Sequence, residues 1–347
     1  MKAAILLLIG LSVFVLPVFG QKEGEVFVVN ARALQRSGNY AEAAAEMNKA
    51  LALEPNNIRY LFDQSEYYER AKNETAALAN IERALKIEPE SEAVVLEATR
   101  RLQAAGTHDR CQRAKEVLSV FVESHPKSDQ AYHSLFFAKT CLRDEAGALS
   151  DISRAVELNP NYPLYQSNRA NLISRMGDTK GAEMQLKSLI ERLEAKLAGT
   201  DERNAQDEIK RDLGISLGQL AGVYERSGEK TLAIEALTQA LPYNKPLYLR
   251  ERALAYGRFG MYKEALTDLD EGIADDEAKM APLRKTNPAL IGNMSLYVER
   301  ANIYYNMGEY QKALADLREC LARDPRNKAN YERQIDRVNQ KIEKPNQ

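Results

Sequence analysis

The feature that most constrains this chain is a spaced repetition. Tyr40, Ala43, Ala50 and Pro55 follow Gly38 at offsets of two, five, twelve and seventeen residues. Ala77, Ala84 and Pro89 return 34 residues after their counterparts, and Gly308, Tyr310, Ala313 and Pro325 reproduce the pattern far along the chain. A period of that length belongs to a stacked array of helix pairs, in which each unit packs only on its neighbours. Ala43 and Ala50 lie seven apart and so share one helix face, where their small size lets a second helix approach closely. Gly38 suits the left-handed turn that ends a helix, and Pro55 cannot continue one because it has no N–H to donate.

Followed along the chain, the phase gives repeats one to four over 24–160, five and six over 161–245, and seven and eight over 246–327. A polar capping helix and tail occupy 328–347. Three irregularities stand out. Three extra residues separate Gly106 from Ala114, which predicts a longer turn around Thr107, His108 and Asp109. Gly177 and Gly228 are 51 residues apart, 17 beyond the period, and the apolar stripe Leu186, Leu189, Ile190, Leu193, Leu197 answers Ile209, Leu213, Leu217 and Leu220. That spacing predicts a hairpin of two long helices. Gly260 and Gly308 are 48 apart, which puts 14 extra residues near 275–292, where Pro282 and Pro288 are expected to break the helix.

The residues resemble the tetratricopeptide repeat family: Gly38, Tyr40, Ala43, Ala50 and Pro55 match all five of its positions, and Cys320 replaces the second Ala in the repeat of Gly308. The resemblance covers roughly 24–327. It implies an all-α fold, a right-handed superhelix of antiparallel helix pairs in about eight repeats, with a concave groove that binds segments of other proteins. It implies no catalysis.

Export is expected from the first residues. Met1-Lys2 and an apolar run from Ala3 lead to Leu16-Pro17-Val18-Phe19-Gly20, the form of a signal peptide over 1–20 cleaved after Gly20. The destination is a periplasm first, with secretion or an endoplasmic reticulum lumen as alternatives. No later apolar run could span a bilayer, so no membrane insertion is expected after cleavage. Lys and Arg number 48 against 50 Asp and Glu, and loss of Lys2 leaves 47 against 50. That balance argues against nucleic acid as the main partner.

Of three cysteines, Cys111 opens the second helix of repeat three and Cys141 closes the first helix of repeat four. Those ends should be neighbours in an antiparallel stack, and an oxidising compartment would close them into a disulfide. Cys320 stands alone at a small packing position, as a buried free thiol. His108, His125 and His133 share a stretch with Cys111 and Cys141, but no two are spaced as zinc ligands, and no metal or other cofactor is expected. The chain has no glycine-rich phosphate loop, no His-Glu-x-x-His and no serine elbow, so it offers no catalytic residues.

Arg169, Arg252 and Arg300 stand eight residues before a turn, and Asp151, Asp268 and Asp316 eight after one. They predict structural ion pairs, Arg252–Asp268 and Arg300–Asp316 within repeats, Asp151–Arg169 and Asp268–Arg300 between them. The groove should be lined by first-helix residues facing away from the second helices. By offset these include Phe62, Glu66, Glu69, His133, Phe137, Asn171, Arg175, Arg250, Arg258 and Asn302. A chaperone-type clamp on a C-terminal carboxylate is disfavoured, because Ser167 and Val298 stand where that branch of the family needs Lys. The expected function is an exported, non-catalytic scaffold or adaptor that holds a protein or peptide segment. The alternative is an assembly factor or co-chaperone for envelope or secreted clients, with a hydrolase a distant third.

Overall fold

The computed structural model describes residues 23–287 and 290–343. The signal peptide read over 1–20, its cleavage point after Gly20, and Pro288 lie outside the described residues. Among the described residues the regular structure is all helical, in pairs. The first pairs are α1 (Glu23–Arg36) with α2 (Tyr40–Leu53), α3 (Ile58–Arg70) with α4 (Glu74–Ile87), and α5 (Glu92–Ala104) with α6 (His108–Ser124). Then come α7 (Asp129–Cys141), α8 (Glu145–Leu158), and α9 (Pro163–Arg175) with α10 (Thr179–Ala198). The last are α11 (Arg203–Ser227) with α12 (Lys230–Ala240), α13 (Lys245–Arg258) with α14 (Tyr262–Arg284), α15 (Met294–Asn306) with α16 (Tyr310–Arg323), and α17 (Lys328–Glu343). The chain divides into two compact units, residues 1–148 and 149–347, with the division inside α8. Each unit is an α-solenoid in which consecutive helices pack antiparallel on one another.

Small side chains set how closely the helices approach. Five residues after the turn position stand Ala43, Ala77, Ala148, Ala182, Ala233, Ala265 and Ala313, each fully buried. Seven residues before it stand Ala31, Ser65, Thr99, Ala170, Ala221, Ala253 and Ala301, all buried as well. These two rows face each other inside a pair, and a methyl or hydroxymethyl is all the gap admits. Phe136 occupies the same place in α7 and is the one large side chain of the row.

The turn chemistry repeats too. Gly38, Gly177, Gly228, Gly260 and Gly308 take positive φ, and the next residue's N–H reaches back five residues, as Asn39 does to the Leu34 carbonyl at 2.9 Å. This closes the last helical turn and satisfies its free carbonyls. Lys72 and Arg143 take the same left-handed conformation, both at φ 62°, without being glycine.

Two expectations are corrected. The three extra residues after Gly106 do not lengthen the turn. α6 begins two residues past Gly106, as α2 does past Gly38, and is 17 residues long where α2 has 14. Local contacts hold the added turn of helix. Arg110 is buried, ion-paired with Glu69, and its Nη2 donates to the Glu74 carbonyl at 3.4 Å. Cys111, next along, is joined to Cys141 by a disulfide with Cα atoms 6.2 Å apart. Nor does Pro282 break its helix, because α14 runs through it to Arg284. So close to a C-terminus, proline removes one hydrogen bond and leaves few turns to disturb.

The chain beyond α14 is tied back by charge. Arg284 donates to Glu277 at 2.6 Å and to the Leu290 carbonyl at 2.8 Å, while the Asn293 N–H donates to Asp276 at 2.8 Å. Arg323 at 2.5 Å and the Tyr297 hydroxyl at 3.1 Å complete the ring around Glu277. Led by the Arg284 hydrogen bond, these donors hold the Glu277 carboxyl down at about 2.

α10 and α11 form the long hairpin, with Leu186, Leu189, Ile190 and Leu193 buried against Ile209, Leu213 and Leu217. Gly214 and Gly218 leave a trough on α11 for the Tyr248 ring. A Cβ on Gly214 would come to 3.0 Å from the Tyr248 hydroxyl.

Candidate functional site

The first helices of successive pairs touch one another as α5 with α7 in one unit, and as α9, α11, α13 and α15 in the other. Their faces away from the second helices are the surface that pair packing leaves over.

In the first unit the surface centres on α7. The His133 ring lies 4.8 Å from Phe137, edge to face, and 6.0 Å from Phe136, stacked; Phe136 and Phe137 are 4.9 Å apart. Phe137 is 45% exposed, although aromatic side chains are usually the first to be covered. Burial pushes the His133 imidazole down to about 4, against a small opposing pull from Asp129. The ring is therefore neutral at physiological pH and behaves as part of an apolar patch. Phe62 does not belong with it. It is 7% exposed, sits in the core, and carries the Arg101 guanidinium over its ring at 5.3 Å. The expectation that it lines the groove is corrected: periodicity gives the helix face but not the long side chain that reaches over from α5. Glu66 is half-buried beside a cavity of about 460 Å³ that Arg70, Arg100 and Arg101 also line. Glu69 is engaged by Arg110.

In the second unit Arg250 donates to Glu299 at 2.7 Å, and Arg258 to Glu225 at 2.7 Å. Asn171 accepts from Arg226 at 3.1 Å, and Arg175 and Asn302 stand exposed. Asn171 and Arg175 thus meet at a residue the sequence reading passed over. Arg226 was findable: like Arg175 and Arg258 it stands two residues before a turn glycine. Phe136 carried a signal as well, as the one large residue in a row of small ones.

The ion pairs within repeats form bidentate forks, Arg252 to Asp268 at 2.7 and 2.8 Å and Arg300 to Asp316 at 2.7 and 2.9 Å. Arg169 uses the same 16-residue step to reach Gln185 at 3.1 Å. The expected pair Asp268–Arg300 is not the one formed; Arg300 turns its remaining nitrogen to Asp270 at 2.6 Å. Asp268 is already taken by Nε and Nη2 of Arg252. Such pairs fix register between helices and need no catalytic reading. Among the described residues no group of three or more His, Cys, Asp or Glu is placed to hold a metal ion. Nor is any helix there long and apolar enough to cross a membrane.

Stacked helix pairs that leave an exposed face on their first helices have the architecture of a protein-interaction scaffold. The sequence profile of the tetratricopeptide repeat matches residues 28–92 and 295–327. These two stretches are tetratricopeptide repeats, and the helix pairs between them have the same solenoid fold. Yeast Tom70 shares its fold at a TM-score of 0.57 and 12% identity, over 92% of this chain and 65% of that one. A tetratricopeptide repeat protein from Parabacteroides merdae aligns at 0.49 and 15% identity, over 81% of this chain and 98% of that one. MamA from Desulfovibrio magneticus aligns at 0.39 and 18% identity, over 49% and 95%. No curated protein sequence matches the chain.

Proposed function

We propose that this protein is an exported, non-catalytic adaptor that holds a segment of a partner protein against the first-helix faces of its repeats. The observation that carries the reading is the aromatic patch of α7. Phe137 is 45% exposed on a face that helix pairing does not use, beside an imidazole kept neutral. Exposed aromatics of this kind are the usual anchors of a protein interface. Export is supported by the apolar leader over 3–19 and by the Cys111–Cys141 bond, which persists in oxidising compartments.

The test is capture from an envelope fraction. One stoichiometric partner fits the adaptor, whereas many substoichiometric clients fit an assembly factor or co-chaperone. Replacing Phe137 with Ser should leave helicity and melting nearly unchanged and weaken capture on the order of tenfold. Unchanged capture would move the site elsewhere, and turnover of a substrate by the pure protein would overturn the non-catalytic reading.

A further inference from the structure

Arg175, Arg226 and Arg258 stand at one register on three successive first helices, α9, α11 and α13, each two residues before the turn glycine. The later two follow one rule. Each reaches back to the residue three before the glycine on the preceding first helix. Arg258 finds Glu225 there, at 2.7 Å, and is neutralised. Arg226 finds Ser174, whose hydroxyl accepts from Nε at 2.8 Å. Its second hydrogen bond goes to the amide oxygen of Asn171 at 3.1 Å. Both acceptors are neutral, and Nη1 makes no hydrogen bond to the described residues. The guanidinium is thus held in one orientation with no carboxylate hydrogen-bonded to it; Glu225 acts on it only through space and is itself bound by Arg258. Burial and then the charge of Arg175, outweighing the opposing pull of Glu225, make it harder to keep protonated than an ordinary arginine, so a further anion would be welcome.

We propose that this row is the docking line for an acidic segment of the partner protein, with a partner Asp or Glu carboxylate on the open edge of Arg226. The inference rests on the adaptor reading above and adds the chemistry of what is held. Geometry sets a spacing. Axes of packed helices lie about 8–10 Å apart, and an extended chain advances about 3.3 Å per residue. A strand crossing α9, α11 and α13 therefore meets successive arginines about every third residue. A nucleic acid fits less well: Glu225 interrupts the row, and a continuous phosphate backbone would run over its carboxylate. Separate acidic side chains can straddle it.

The test uses the full chain and three fluorescent probes, read by anisotropy. One peptide carries Asp at every third position, a second carries Asn instead, and the third probe is a uridine oligonucleotide. The acidic peptide should bind on the order of tenfold tighter than the Asn peptide, and more weakly as salt is added. Arg226→Gln keeps a donor toward Ser174 but removes the charge, and should erase that difference. Arg226→Ala at this exposed position should do the same. Equal binding of the two peptides overturns the acidic row and leaves the adaptor reading standing. So does binding of neither peptide while native-partner capture stays sensitive to Phe137→Ser. Loss of both signals overturns both readings, and tighter binding of the oligonucleotide overturns the choice of partner.

Discussion

At the scale of single residues, two side chains hold charge states that packing imposes. The unfolded chain gives His133 an imidazole of ordinary affinity, near 6.5, while the folded chain lowers it to about 4. Because the folded value is depressed, the unfolded state binds more protons between those pH values. The contribution to stability is therefore intact above about 6.5 and is lost as pH falls toward 4. Replacing His133 with Phe should remove that loss. The variant should fall less steeply than the parent over this window, by roughly 1–2 kcal/mol after allowance for screening. Urea midpoints at matched pH read it directly, and parallel curves would refute the assigned burial. Arg226 is the opposite case, a charge whose hydrogen bonds all go to neutral acceptors. Its place in the sequence matches those of Arg175 and Arg258, but spacing alone does not show which neighbours an arginine reaches.

At the scale of elements, the helix pairs and their turns were legible because each rests on a local rule. Alanine where backbones meet and glycine where φ is positive both announce themselves by spacing. What spacing cannot give is which neighbour covers an outward face, and Phe62 under Arg101 is the example. It also cannot say whether added residues join a loop or a helix. The three after Gly106 joined α6 because Arg110 found Glu69 there. The same turn rule shows where the fold carries strain. Lys72 and Arg143 are left-handed without being glycine, a conformation that costs an L-residue roughly 1–2 kcal/mol. Glycine gives part of that back through its floppier unfolded chain, so Lys72→Gly and Arg143→Gly should each stabilise by about 0.5–1 kcal/mol. A lowered midpoint in denaturant would mean that each stem contributes more by packing than its backbone costs.

At the scale of the whole molecule, export and the disulfide make one joint prediction. Protein recovered from its own exported fraction should begin at Gln21. Denatured without reductant, it should show one reactive thiol; three thiols, or an intact Met1, would count against the proposal. Reduction should cost about 3–4 kcal/mol in the chain-entropy account for a bond that spans 30 residues. The remaining thiol, Cys320, is fully buried, donates to the Met294 carbonyl at 3.6 Å and shares its cluster with Tyr331 of α17. Burial pushes it up to about 12, so it is inert while covered. A stacked array opens piecemeal rather than all at once. An alkylating reagent can therefore reach this sulfur only when the C-terminal end of the stack, α15 to α17, opens. The protein thus carries its own stopwatch: the rate at which one sulfur is consumed counts the openings of the C-terminal end of the stack, with no mutation.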